Sequence, residues 1–145
     1  MEWTKRHNIN RGYMRLEIWS NAIDLFKLTH SLLDDTRNID FKLRSQILDA
    51  VQSVSANIAE GYCRKSLKEY LQFLHIALGS SGEALTRMMG LKHSGQLSAE
   101  FFEDFDILHY QTENRLIALV KCLQKKAGTG EWNEKISNVP GGQPE

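Results

Sequence analysis

Four stretches of the sequence repeat apolar residues at intervals of three and four positions, which is the period of an amphipathic α-helix. In chain order these stretches are Leu16 to Leu33, about Asp40 to Glu60, Leu67 to about Lys92, and the segment after Ser98 up to about Lys126. Short connections join them, and short connections between long helices favour antiparallel neighbours. The sequence therefore predicts an all-α fold, an antiparallel up-down-up-down four-helix bundle.

Polar and glycine residues at the ends of these stretches predict where the helices begin and end. Ser66 and Glu69 fit a capping box, in which the serine hydroxyl and the glutamate satisfy free backbone amides at the start of the third helix. Ser98 is the expected N-cap of the fourth helix. Gly61 suits the left-handed position just past a helix end, so we expect the second helix to stop at Glu60.

The domain organisation follows from composition on either side of the bundle. Residues 1–15 are predicted to be an N-terminal arm, residues 16–126 the bundle, and residues 127–145 a disordered tail rich in Gly and Pro. The longest aliphatic run, Leu116 to Val120, is far too short to span a membrane, and no signal-peptide pattern opens the chain. We expect a cytoplasmic protein with no membrane contact.

Motifs for catalysis or metal binding are not evident. Cys63 and Cys122 stand alone, which favours reduced thiols over a disulfide or zinc site. Asp106-x-x-His109 only approaches the Glu-x-x-His motif of a di-iron bundle, since it has the wrong carboxylate and occurs once. We therefore expect no cofactor, no metal and no enzymatic activity. The remaining enzymatic hypothesis is a pocket between subunits lined by Asn57 and Glu60.

A polar stripe accompanies the apolar face of the second helix, and small residues interrupt the third. Glycines inside a helix cost about 1 kcal/mol each relative to alanine, so close approach of another backbone is expected to compensate for them. Hydrogen bonds from the polar stripe to these small residues, within the bundle or between subunits, are the structural hypothesis, and a solvated face is the alternative. The residues assigned this interface or structural role are Ser53, Asn57, Glu60, Gly79, Ser80 and Glu83.

Two segments of these helices, Asn57-Ile58-Ala59-Glu60-Gly61 and Ala77-Leu78-Gly79-Ser80, resemble the S23 family of 23S ribosomal RNA intervening-sequence proteins. The similarity extends over roughly Tyr13 to Lys126 and implies a four-helix fold that associates into homopentamers. The family is related in fold to the accessory variability determinant of diversity-generating retroelements, a basic pentamer that binds a reverse transcriptase and nucleic acid. Asp49, where the family often has a basic residue, and the net charge of zero depart from this pattern.

The up-down topology predicts that basic residues gather at one end of the bundle, where the start of helix one, the turn between helices two and three, and the end of helix four meet. Lysines at the end of helix four complement its dipole. The basic residues around the start of helix three do not complement a dipole, because cations are disfavoured at that end of a helix. The free backbone amides there can bind phosphate. An ordinary solvated loop is the alternative. The residues of this predicted nucleic-acid-binding surface are Arg11, Arg15, Arg64, Lys65, Lys68, Lys121, Lys125 and Lys126.

Two functions fit these observations. The first is a non-catalytic oligomeric scaffold associated with nucleic acid, either an rRNA intervening-sequence protein or an accessory protein of a reverse transcriptase. Its expected partners are further copies of the chain in a homopentamer, RNA or DNA, and a reverse transcriptase. The second is a homo-oligomeric protein-interaction module with no nucleic-acid contact, which fits the net charge of zero better.

Overall fold

The computed structural model describes residues 12–129, and within that range the backbone is helical without any strand. A short 3₁₀ helix precedes four α-helices, and each α-helix packs against its neighbours in sequence, while α1 also packs against α4. The predicted up-down-up-down bundle is confirmed. The elements are the 3₁₀ helix Tyr13–Arg15, α1 Glu17–Asp34, α2 Phe41–Tyr62, α3 Leu67–His93 and α4 Ala99–Thr129.

Both predicted N-caps are confirmed. The Ser66 hydroxyl accepts a hydrogen bond from the Glu69 amide at 3.1 Å. The Ser98 hydroxyl accepts one from the Phe101 amide at 3.0 Å. Each bond satisfies an amide that has no acceptor inside its helix, which fixes the residue at which α3 and α4 begin. α3 ends before Gly95, whose φ of +80° is a conformation that favours glycine.

Other boundaries differ from the sequence predictions. Gly61 is not left-handed; it lies inside α2, which continues to Tyr62 and ends at Cys63 with a φ of −81°. α4 continues to Thr129, past the predicted end at Lys126. The last residues of the predicted arm form the 3₁₀ helix, which packs against α1. Residues 1–11 and 130–145, the rest of the predicted arm and tail, lie outside the described residues.

Gly61 is needed for a different reason, which is the close packing of α2 against α3. A Cβ atom at this position would lie 2.8 Å from the Phe73 Cβ and 3.1 Å from the Tyr70 Cδ1. Real Cβ atoms do not approach other atoms that closely, so any side chain here would push the two helices apart. The glycine therefore lets α2 and α3 meet at their joined ends.

The core consists of two apolar clusters arranged along the bundle. The first unites the start of α1, the end of α2, the start of α3 and the end of α4, and includes Tyr70 and Leu116. The second unites the opposite ends and includes Met88 and Phe105. Because the first cluster joins these particular helix ends, the start of α1, the turn between α2 and α3, and the end of α4 lie at one end of the bundle, as the topology predicted.

His109 falls between the two clusters along α4 and is buried. Its Nε2 lies 2.8 Å from the backbone oxygen of Ser81, and a carbonyl oxygen only accepts, so Nε2 carries the hydrogen. The Ser81 hydroxyl also lies 2.9 Å from Nε2. This histidine therefore ties α4 to α3.

Replacing Gly61 by alanine is expected to destabilise the protein by about 1–3 kcal/mol, because the new methyl group would overlap with Phe73 and Tyr70. The matched change Gly82→Ala should stabilise it by about 0.5–1 kcal/mol, since no atom outside its own helix lies within 4 Å of a Cβ there. Urea denaturation followed by circular dichroism measures both. Similar effects of the two changes would contradict the packing argument.

Candidate nucleic-acid interface

One end of the bundle concentrates cationic side chains, and we call it the basic end. It comprises the start of α1, the turn between α2 and α3, and the end of α4, all held together by the first apolar cluster. Seven described basic residues lie there, against the three acidic residues Glu17, Glu60 and Glu69. The basic residues are Arg15, Arg64, Lys65, Lys68, Lys121, Lys125 and Lys126. Arg11, the eighth predicted residue, lies outside the described residues.

Arg64 differs from Lys65 and Lys68 because its guanidinium contacts two other side chains of the same chain. One guanidinium nitrogen, Nη2, lies 2.8 Å from Glu60 Oε2. The guanidinium carbon lies 4.8 Å from the centre of the Phe73 ring, a cation–π distance. Glu60 thus compensates part of the Arg64 charge. Lys65 and Lys68 are exposed on the same turn, so they present their charge to solvent.

The start of α3 adds backbone donors to this surface. Ser66 accepts from the Glu69 amide, and its backbone oxygen accepts from the Tyr70 amide at 3.1 Å. The preceding amides of Leu67 and Lys68 have no acceptor within the helix. These amides and the helix dipole favour an anion at the position flanked by the two lysines.

The opposite end of the bundle is acidic on balance. The Arg44 guanidinium forms an ion pair there with an Asp34 oxygen at 2.6 Å. The Lys92 ammonium lies 5.0 Å from the centre of the Phe102 ring, a cation–π distance. The described residues of the two ends therefore carry net charges of opposite sign. The acidic residues there are Asp34, Asp35, Asp40, Glu100, Glu103, Asp104 and Asp106, against Arg37, Lys42, Arg44 and Lys92.

The second predicted set lies mostly along the line where α2 meets α3, which we call the α2–α3 seam. The Ser53 and Ser80 hydroxyl oxygens are 2.8 Å apart. Asn57 Nδ2 donates to both the backbone oxygen and the hydroxyl of Ser53, each at 2.8 Å. The structure thus brings three of the predicted residues into one hydrogen-bonded group. It does not bring Glu60 or Glu83 into it, since these pair with arginines four residues later in their own helices.

The glycines of α3 are open on their outer side. No atom beyond the helix itself lies within 4 Å of a Cβ built at Gly79 or Gly82. No backbone of the described residues therefore approaches them within one chain, and the approach of another backbone between subunits stays a prediction. The conformational cost of these glycines is not compensated within one chain.

Arg87 is a residue that the sequence prediction missed. Its Nε donates to Glu83 Oε2 at 2.9 Å, and its Nη1 donates across the seam to Gln46 Oε1 at 2.9 Å. Beyond it the seam opens into a cleft of about 370 Å³, with Leu43 and Ile47 on one wall. The spacing of four between Glu83 and Arg87 was a usable signal for the ion pair, but no signal in the sequence marked the cleft.

Tyr70 is a second feature that the sequence did not reveal. Its side chain is fully buried near the basic end, and its hydroxyl has no hydrogen-bond partner among residues 12–129. Burial, with a smaller contribution from Tyr62, raises the pKa of Tyr70 far above its usual range. The hydroxyl therefore stays protonated in the folded protein.

The described range, residues 12–129, offers neither a metal-binding cluster nor a membrane-spanning helix. No group of three or more His, Cys, Asp or Glu side chains in that range could hold a metal ion. None of its helices combines the length and the apolar character that crossing a bilayer requires. Cys63 is exposed, Cys122 is half-buried, and both are free thiols.

Residues 12–129 define an all-helical protein, a four-helix bundle with oppositely charged ends. The family model of the 23S rRNA-intervening sequence protein matches residues 14–118, and the chain belongs to this family. A crystal structure of a protein of unknown function from the S23 ribosomal protein family of Bacteroides thetaiotaomicron VPI-5482 superposes with a TM-score of 0.58. It shares 22% identity, covering 77% of this chain and 99% of that one, and supports the fold. No curated protein matches the sequence.

The Tyr70→Phe variant is expected to equal or exceed the wild-type stability at pH 7, because it removes a buried hydroxyl without a partner. In the unfolded chain Tyr70 ionises near pH 10, whereas in the folded chain it stays protonated to higher pH. The folded state therefore loses up to about 1.4 kcal/mol per pH unit above 10 from this residue. Urea denaturation at pH 7 and pH 11 should show a smaller loss in the variant. Equal losses would contradict the burial effect.

Proposed function

We propose that this protein is a non-catalytic, oligomeric scaffold that binds RNA or DNA through the basic end. One observation carries the proposal: seven basic side chains against three acidic ones meet at one end of a chain whose net charge is zero. Helix dipoles account for the lysines at the end of α4. They do not account for Lys65 and Lys68, which lie at the start of α3, where a cation is disfavoured unless an anion joins it.

The chemistry of the basic end suits phosphates better than base edges. Lysine ammonium groups act as point charges towards phosphate, and exposed lysines supply most of the charge here. Binding of this kind is independent of sequence and weakens steeply with salt. A ring of copies with the basic ends on one side would add their fields and strengthen the attraction.

The family description supports RNA as the polyanion, because it names an intervening sequence of 23S rRNA. The resemblance to the accessory variability determinant suggests a reverse transcriptase as the candidate protein partner. RNA and a reverse transcriptase both fit a scaffold that acts on nucleic acid in the cytoplasm.

The α2–α3 seam is the proposed contact between copies in a homopentamer. Gly79 leaves room for another backbone, and no part of the described chain fills it. Ser53, Asn57 and Ser80 form a hydrogen-bonded group that is only part-buried in one chain. A neighbouring copy packed on this seam would bury the group and offset the conformational cost of Gly79.

A protein-interaction module without nucleic-acid contact is the second candidate. The Arg64–Glu60 ion pair favours it, because one of the central cations of the turn is already compensated. The net charge of zero also favours it, since long-range attraction of a polyanion is weaker than for a uniformly basic protein.

The double variant Lys65→Gln/Lys68→Gln is expected to bind structured RNA and DNA more weakly than wild type. The slope of log K against log salt should become shallower by about 2, because each lost phosphate contact lowers it by about 1. Electrophoretic mobility shift between 50 and 200 mM salt, a range in which such contacts lose most of their strength, measures both quantities.

The matched control is Lys27→Gln/Lys42→Gln, which removes two exposed lysines away from the basic end. It should retain the wild-type affinity and salt slope. If both variants lose affinity equally, binding depends on the total charge of the protein and not on the position of the lysines at the basic end. Absence of binding by the wild type would favour the protein-interaction module.

Light scattering of the wild type at micromolar concentration should report about five times the 16.6 kDa of one chain. Gly79→Leu should keep its helical content, because nothing within the described chain occupies the space, but should lower that mass by blocking the seam. A wild-type monomer would remove the oligomer from the proposal, and an unchanged mass in Gly79→Leu would remove the seam.

A further inference from the structure

An ion pair lies within the basic end, in the turn that connects α2 and α3. Glu60 belongs to the last turn of α2, and Arg64 follows that helix. The Cys63 amide donates to the Glu60 carbonyl oxygen at 3.2 Å. The Arg64 amide donates to the Gly61 carbonyl oxygen at 3.1 Å, so the helical path continues past the end of α2. Because residues four apart on such a path are neighbours, the Glu60 and Arg64 side chains meet.

The guanidinium of Arg64 is held by two other side chains. Its Nη2 donates to Glu60 Oε2 at 2.8 Å. Its carbon lies 4.8 Å from the centre of the Phe73 ring. The other two nitrogens, Nε and Nη1, form no hydrogen bond with any of residues 12–129. Arg64 is therefore fixed beside the start of α3 and keeps donors for an anion.

Glu60 lies where a phosphate would bind this guanidinium. A guanidinium binds phosphate best through two parallel N–H bonds. Two pairs of nitrogens can form them, Nε with Nη2 and Nη1 with Nη2, and both include the nitrogen that Glu60 already binds. The carboxylate therefore takes one of these edges, and its negative charge repels a phosphate from the other. A phosphate can use both N–H bonds of Arg64 only after Glu60 has left it.

The ion pair is exposed enough to open. The Arg64 and Glu60 side chains are 41% and 52% exposed. Water competes for both partners there, and salt screens their attraction, so exposed pairs of this kind contribute little to stability. The contact with Phe73 does not depend on Glu60, and it keeps the guanidinium in place when the carboxylate leaves. A phosphate can therefore replace Glu60 at a small cost.

We propose that Glu60 competes with nucleic-acid phosphate for Arg64 and thereby limits the affinity of the basic end. This inference deepens the proposed function and rests on it. In the free protein the carboxylate binds Arg64, and in the complex a phosphate takes its place. The phosphate contact is gained only as the ion pair is lost, so Arg64 adds little to the wild-type affinity. Lys65 and Lys68, which are exposed, supply the attraction at this turn.

The variant Glu60→Gln tests the competition, because it removes the charge and keeps the size of the side chain. It should bind structured RNA and DNA about two- to fivefold more tightly than the wild type, which is the range that an exposed ion pair is worth. The slope of log K against log salt should become steeper by about 1, since one further phosphate contact forms without the loss of an ion pair. Electrophoretic mobility shift between about 50 and 200 mM salt measures both quantities. Circular dichroism should show wild-type helical content.

Two controls separate competition for Arg64 from a general change in charge. Glu17→Gln removes another exposed carboxylate from the basic end, one that lies 3.7 Å from Arg115. Because it leaves the Arg64 ion pair intact, this variant should keep the wild-type salt slope. In an Arg64→Gln background, Glu60→Gln should add no more affinity than Glu17→Gln adds to the wild type, because the group for which Glu60 competes is gone.

The outcomes separate this inference from the proposed function. If the wild type binds and Glu60→Gln binds equally well or more weakly, the competition is overturned while binding through the basic end stands. A gain of the same size in the Arg64→Gln background also overturns it, because the carboxylate then acts on the whole basic end and not on Arg64. If none of these proteins binds RNA or DNA, the proposed function fails and the competition fails with it.

Discussion

The close contact of α2 and α3 at Gly61 is the constraint on which the rest of the molecule depends. The backbone there leaves no room for a Cβ atom against Phe73 and Tyr70. Because the helices meet so closely, residues 63–66 suffice to connect them. This tight turn places Arg64 and Lys65 beside the start of α3. It also brings Ser53 opposite Ser80 along the seam, so both candidate surfaces follow from one packing contact.

The antiparallel topology then separates the charges. The basic segments lie at the start of α1, between α2 and α3, and at the end of α4, and antiparallel packing places them together at one end of the bundle. Part of this arrangement stabilises the bundle, because acidic residues start α4 and basic residues end it. The cations at the start of α3 have no such benefit. An anion bound there would supply the missing partner, which is why the proposed function rests on this turn.

The sequence predicted those features that depend on neighbours along one helix. Periodicity located all four helices, and the Ser66 and Ser98 caps follow from side chains that bond to amides three residues away. Features that depend on the distance between helices could not be predicted in the same way. Gly61 stood out in the sequence, but its role could not be read from it. Glycine is favoured both at the left-handed end of a helix and where two helices pack closely together. The cleft arises from the relative placement of α2 and α3, which no local pattern encodes.

Three features of the described residues are unfavourable in a single chain. Gly79 and Gly90 each weaken α3 with nothing packed in the space they leave. Phe41 exposes an apolar ring at the start of α2. Each costs about 1 kcal/mol or more, a sizeable share of the 5–15 kcal/mol that keeps an ordinary domain folded. A second copy packed on the seam, as the proposed function requires, would cover the open side of Gly79. It would also leave the lysines at the far end of the bundle open to solvent, so the proposed assembly and the proposed phosphate binding would use different surfaces of the same chain.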